Sequence, residues 1–228
     1  VKKRYEKLIL ADEKVSEELR TSEGRKNYFQ TLLKQSKNHD LYDLLLESLT
    51  VPGEIIELGV WRGVTTRRIG AVMKRSGVDK KIYACDSFEG FGSETITKED
   101  TSLFRSVSRL KKKFTAAGDV PAVLEQFFDH YQITGFCVKG FFSKSLKAIE
   151  DEKFCFAHVD CDAYSSHVDC LNFIYPRLSS GGCIVFDDYN EKKWPGASKA
   201  IDEFFEDKPE SIKLSDKKEN SAWYVIKL

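Results

Sequence analysis

The segment Glu54-Ile55-Ile56-Glu57-Leu58-Gly59-Val60-Trp61-Arg62-Gly63, preceded by Pro52-Gly53, decides the fold. Its apolar run is continuous rather than alternating, which is the pattern of a strand covered on both faces. The helix-like stretch Thr65–Arg75 follows at once, so the unit reads strand, turn, helix. Gly59 and Gly63 let the backbone turn sharply and approach a ligand at the C-terminal end of that strand. Their spacing, Gly-x-x-x-Gly, differs from the dinucleotide pattern Gly-x-Gly-x-x-Gly and lacks its middle glycine. Two readings stay open for the turn alone: a ligand-binding loop, or a tight connection that binds nothing.

Working outward, the same alternation recurs. Ile82–Cys85, Phe136–Val138, Phe154–Val159 and Cys183–Phe186 are short apolar runs, and Pro121–Tyr131 and Ser165–Leu178 read as intervening helices. Strands alternating with helices make a parallel sheet covered on both faces. The C-terminus departs from this. A helix near Ala197–Phe205 precedes Ile212-Lys213-Leu214 and Trp223-Tyr224-Val225-Ile226, linked by the polar turn Asp216–Asn220. Two strands so joined pair antiparallel. Before Pro52, the series Leu8, Leu10, Val15, Leu19, then Tyr28, Leu32, Leu33, then Leu41, Leu44, Leu45, Leu49 has helical spacing. The expected organisation is a helical appendage at 1–50 and an α/β domain at 51–228. Residues 87–120 form a long polar segment with Gly90 and Gly92, the kind that serves as a lid or substrate loop. Its Arg105, Arg109 and Lys111-Lys112-Lys113 suit either a phosphorylated substrate or a solvated helix face.

The composition narrows the function. The 228 residues carry 36 Lys+Arg against 36 Asp+Glu, a net charge of +0, without the basic excess of a general nucleic-acid binder. No apolar run approaches the ~18 residues that span a bilayer, so neither a nucleic-acid nor a membrane partner is expected. The chain opens on Val1 rather than methionine, which leaves room for residues upstream. Six cysteines occur without a Cys-x-x-Cys pair; Cys85, Cys137, Cys155 and Cys183 fall in apolar runs read as buried strands, and a reducing, cytoplasmic setting is expected.

Acids gather where the strands end. Asp86 closes the second strand, where a carboxylate can accept hydrogen bonds from ribose hydroxyls, or simply sit at the surface. With the glycine turn it points to a nucleoside site, against which Phe88 could pack; equally, Phe88 could be core. Asp160-Cys161-Asp162 and Asp187-Asp188 end two further strands. Residues i and i+2 of an extended chain share a face, so Asp160 and Asp162 do. Gathered carboxylates raise one another's pKa, and a divalent cation with oxygen ligands, Mg²⁺, Mn²⁺ or Ca²⁺, relieves that cost. Capping of the following helices is the competing reading. His158 lies in a strand and reads as a core or supporting residue, whereas His167 follows the acidic loop and is an alternative base.

Taken together, Pro52–Gly63, Cys85-Asp86-Ser87-Phe88-Glu89-Gly90-Phe91, Val159–Tyr164, and Gly181-Gly182 followed by Phe186-Asp187-Asp188-Tyr189 resemble the macrocin O-methyltransferase family. Val138-Lys139-Gly140-Phe141-Phe142 and Gly196–Ile201 look like two further blocks, in order over residues 52–205. Val64 departs from the second glycine found in many members, and the helices before Pro52 match no motif. The resemblance implies a Rossmann-like class I methyltransferase fold, mostly parallel with a C-terminal antiparallel hairpin and helices on both faces. It also implies Mg²⁺-dependent methyl transfer from S-adenosylmethionine to a hydroxyl, on a sugar of a natural product or a surface glycan. On residue-level match, Glu57, Gly59, Val60, Trp61, Gly63, Asp86, Ser87, Phe88, Gly140, Phe141 and Asp160 would line the cofactor. Asp160, Asp187 and Asp188 would hold the metal, and Asp162 would be the general base. The N-terminal helices are a candidate homo-oligomer contact. Two alternatives compete: a metal-dependent glycosyltransferase using Asp160-Cys161-Asp162 as an Asp-x-Asp motif, and an inactive cofactor-binding scaffold.

Overall fold

The computed structural model describes residues 20–92, 95–103 and 119–228. The expected helix through Leu8–Leu19 and the basic run at 105–113 lie outside the described residues. Two helices open the described chain, α1 (Ser22–Ser36) and α2 (Asp40–Ser48). Thr21 caps α1 by accepting the Gly24 N–H, and the His39 ring caps α2 by accepting from Leu41. Then follow β1 (Glu54–Leu58), α3 (Val64–Ser76), β2 (Ile82–Asp86), a 3₁₀ segment at Lys98–Leu103 and α4 (Val120–Tyr131). β3 (Gly135–Lys139), the short α5 (Phe142–Ser145), β4 (Phe154–Val159), α6 (Tyr164–Ile174), β5 (Leu178–Phe186) and α7 (Pro195–Phe205) continue the alternation. The chain closes with β6 (Lys213–Ser215) and β7 (Ala222–Ile226).

The sheet order is β3-β2-β1-β4-β5-β7-β6. β1 to β5 pair in parallel, whereas β7 runs antiparallel to both β5 and β6. The order reverses at β1, where β2 departs to one side and β4 to the other. A crevice at such a switch point, outside the strands' C-terminal ends, is where open α/β sheets bind ligands.

Successive strand residues face opposite layers. Ile55, Phe156 and Val185 pack with Tyr28, Leu32, Leu45, Ile69 and Phe127 beneath α1 to α4. Ile56, Ala157, Val159 and Ile184 pack with Leu171, Ile201 and Phe205 beneath α6 and α7. The helices at residues 22–48 therefore share one core with the sheet.

Two expectations change. β3 forms the sheet's edge, so Phe136 is 46% exposed and Cys137 only partly buried, because among the described residues no strand pairs on its outer side. The helix expected to reach Leu178 ends at Ile174; a 3₁₀ turn at Tyr175–Arg177 carries Pro176, and Leu178 already begins β5. Proline has no N–H to continue the helix.

Candidate active site

The C-terminal ends of β1, β2, β4 and β5 open into one cavity of about 830 Å³, within the roughly 300–1,000 Å³ range of small-molecule sites. Its floor is the turn after β1. Gly59 has φ +97°, and any Cβ there would lie 1.8 Å from the Asp160 carbonyl oxygen, so only glycine lets the ends of β1 and β4 meet. Asp86 holds the turn from the side: one carboxylate oxygen accepts the Val60 and Trp61 N–H groups, each at 2.8 Å, and the other accepts the Phe88 N–H at 2.8 Å. The Ser87 hydroxyl stands 3.4 Å from that second oxygen but gives its one proton to the Gly90 carbonyl at 2.8 Å, so of about four acceptor sites one is left for a ligand hydroxyl. Trp61, Phe88 and Asp162 have φ values of 47°, 52° and 60° and all line the cavity. Left-handed backbone costs non-glycine residues on the order of 1–3 kcal/mol each and concentrates at functional sites.

Of the sequence-selected residues, Gly59, Trp61, Asp86, Ser87, Phe88, Gly140, Phe141, Asp160, Asp162, Asp187 and Asp188 line the cavity. Glu57, Val60 and Gly63 lie behind that wall. Glu57 faces the α1–α4 layer, where its side chain is 1% exposed, bonds His158 Nδ1 through Oε1 at 3.0 Å and accepts the Thr66 hydroxyl through Oε2. Val60 is buried, and Gly63 is the N-cap residue of α3, facing Leu124. His158, read from the sequence as a core or supporting residue, is the neighbour of Glu57. It pairs with Glu57 across β1 and β4 and shares the strand face of Asp160, a relation visible from their spacing of two.

His158, Asp160 and Asp187 each place a donor atom within 4.8 Å of the others. Asp188 takes a different position. It is 4% exposed, its Oδ2 accepts the Asp162 N–H at 2.7 Å, and His167 Nε2 stands 4.0 Å away. His167 is itself fully buried behind the loop, with Nδ1 at 3.0 Å from the Ala163 carbonyl and 3.4 Å from Cys161 Sγ.

Charge in the cluster is strained. Burial, with Asp187 and Asp188 close by, holds the Asp160 carboxyl well above the usual carboxylate range. Burial and then Asp187 push Asp188 up to about 7. For His158, burial opposes the charged ring, but the hydrogen bond and charge of Glu57, then Asp160 and Asp187, outweigh it and bring the pKa up to about 9. Nε2 of His158 is buried without a hydrogen-bond partner among the described residues. Oxygen donors that raise one another's pKa are a donor set suited to a divalent cation, and His158 Nε2 can join them only once the ring has lost its proton.

Asp100 also escaped sequence reasoning. It is fully buried and binds the first residue of α6, a partnership with no short-range signature.

A parallel sheet with this strand order and an antiparallel β7, its cavity at the strands' C-terminal ends, defines a class I methyltransferase fold. Solved structures agree. CalS11, a calicheamicin methyltransferase, superposes with a TM-score of 0.71 at 23% identity, covering 94% of this chain and 90% of that one. The O-methyltransferase NovP gives 0.69 at 22% identity, covering 83% and 78%. Residues 9–224 match the sequence profile of the macrocin O-methyltransferase (TylF) family, and the chain belongs to that family. Mycinamicin III 3''-O-methyltransferase of Micromonospora griseorubida is 31% identical over 146 residues, 61% of this chain and 56% of that protein. The 8-demethyl-8-(2,3-dimethoxy-alpha-L-rhamnosyl)-tetracenomycin-C 4'-O-methyltransferase of Streptomyces olivaceus is also 31% identical, over 61% of this chain and 54% of its own length. The match thus spans about half the length of these curated relatives.

Proposed function

We propose that the chain is an S-adenosylmethionine-dependent O-methyltransferase acting on a sugar hydroxyl, with a divalent cation, Mg²⁺ by preference, at the acid cluster. The observation that carries the reading is the joining, in one cavity, of the braced glycine turn with Asp86 and of Asp160, Asp162, Asp187 and Asp188. Family membership supports methyl transfer, and a relative named for a rhamnosyl substrate supports a sugar acceptor. The glycosyltransferase alternative finds no support in either comparison.

When bound, the cofactor supplies a methyl group on a sulfonium sulfur. A bound cation would be held by Asp160 and Asp187, with Asp188 or His158 beside them, and would stabilise negative charge on the acceptor oxygen. The protein's own part is positioning and proton transfer. Gly59 leaves space at the floor, Asp86 keeps acceptor capacity for the ribose, and Trp61, Phe88 and Phe141 are aromatic surfaces on the wall. An alcohol is a poor nucleophile near neutral pH. Asp162 reaches the cavity on a loop pinned to Asp188 and takes the hydroxyl proton as general base. Glu57 acts from behind, fixing the His158 ring instead of touching the cofactor.

The test is transfer of a labelled methyl group from S-adenosylmethionine across a panel of glycoside acceptors, with Mg²⁺ and with EDTA. Label should appear on a sugar hydroxyl only when the cation is present. Equal rates in EDTA would remove the metal from the reading, and failure to label any glycoside would remove the sugar.

A further inference from the structure

In the 3₁₀ segment that ends the strap after β2, one buried carboxylate meets the starts of the two helices that follow the acidic loops. Asp100 is 0% exposed. Its Oδ1 accepts the Tyr164 N–H at 3.0 Å, and its Oδ2 accepts the Thr97 N–H at 2.9 Å and the Thr97 hydroxyl at 3.2 Å. Tyr164 is the first residue of α6, whose own N-cap position is Ala163, a residue with no side-chain acceptor. Helix N-termini leave N–H groups that a carboxylate satisfies, in charge as well as in hydrogen bonding. Here the acceptor comes from 64 residues upstream.

The same carboxylate also abuts the start of α7. A Cβ on Gly196 would lie 2.1 Å from Asp100 Oδ1, so α7 begins against Asp100 with no space between them. Two neighbours reinforce the junction: the Ser165 hydroxyl donates to the Thr95 carbonyl at 2.7 Å, and Lys199 pairs with Glu99 at 3.4 Å. α6 starts just after Asp160-Cys161-Asp162, and α7 starts after Asp187-Asp188. On its other side the strap forms cavity wall through Phe91, Gly92 and Thr95, with Phe91 packed on Trp194 at 5.7 Å.

We propose that Asp100 is a positioning residue that seats both acidic loops against the strap and so couples cofactor occupancy of the cavity to the placement of Asp162 and Asp188. Three donors converge on the buried carboxylate, and the N-cap residue of α6, Ala163, supplies no side-chain acceptor of its own. The coupling rests on the methyltransferase reading given above; the seating of the loops does not.

Hydrogen exchange by mass spectrometry, with S-adenosylhomocysteine as the probe ligand, tests both parts. In Asp100→Ala, exchange should accelerate about tenfold or more in peptides covering 95–100 and 163–166, while β4 and β5 stay protected. Affinity for S-adenosylhomocysteine should fall about tenfold, the scale of one lost charge-assisted hydrogen bond. Asp100→Asn is isosteric, accepts from only one side of the junction, and should fall between wild type and alanine; it also serves if the alanine variant fails to fold. Wild-type exchange at 163–166, or wild-type affinity in the folded variant, would overturn the proposal. A wild-type chain that ignores S-adenosylhomocysteine would instead overturn the methyltransferase reading, and the exchange comparison would still decide whether Asp100 seats the loops.

Discussion

Asp162 and Asp188 are joined by one hydrogen bond, yet their surroundings differ. Asp162 has left-handed backbone and reaches the cavity, whereas Asp188 is buried and accepts the Asp162 N–H. Asp162→Asn keeps that N–H and the side-chain size, so affinity for S-adenosylhomocysteine and the Mg²⁺-dependent thermal shift should persist while turnover drops about 10²–10⁴-fold, the usual worth of a general base. Asp187→Ala removes a donor of the cluster and should abolish the Mg²⁺ shift. Retention of near-wild-type turnover by Asp162→Asn would displace it as the base. Burial of His167 behind the loop leaves that residue poorly placed to take over. These acids were legible because they end strands. The role of Glu57 was not, since a strand's sequence does not say which of its acids turns over the sheet's edge and which turns under a helix.

Among the elements, the five parallel strands were legible as short, mostly apolar runs bounded by polar or glycine-containing turns, and the terminal hairpin from two short segments joined by a polar turn. The edge position of β3 was not, because exposure there depends on which strand lies alongside. The N-terminal helices show a further limit. Leu41, Leu45 and Leu49 revealed a helix with an apolar face, but not that this face enters the same core as Ile55 and Phe156. Leu45 is fully buried, so Leu45→Ala should cost about 2–5 kcal/mol. The loss should lower the midpoint of one shared unfolding transition, followed by circular dichroism. A separate early transition for the N-terminal helices, with the main midpoint unchanged, would show that α2 is not part of the common core. Asp100 marks the same boundary of legibility: beside the local Thr97, it meets the starts of α6 and α7, far away in sequence.

At the scale of the whole molecule, the acid cluster ties stability to pH. His158, raised to about 9 from its ordinary 6.5, contributes stability that is full below 6.5 and lost as pH rises through about 9. Asp188 binds its proton more tightly folded than unfolded, so stability declines from the ordinary carboxylate range up to about 7. Both terms have the same sign. In EDTA the melting temperature should fall between about pH 6 and about pH 9, and added Mg²⁺ should restore more at the alkaline end, where the acids are ionised. A metal-free melting temperature that rises over this range would contradict the assignment. The central claim, that the braced glycine turn and Asp86 form a nucleoside cofactor site independent of the metal, is tested most directly by calorimetry with S-adenosylhomocysteine in EDTA. One-to-one binding that survives chelation is the predicted result; binding of UDP with Mn²⁺ and none of S-adenosylhomocysteine would contradict it.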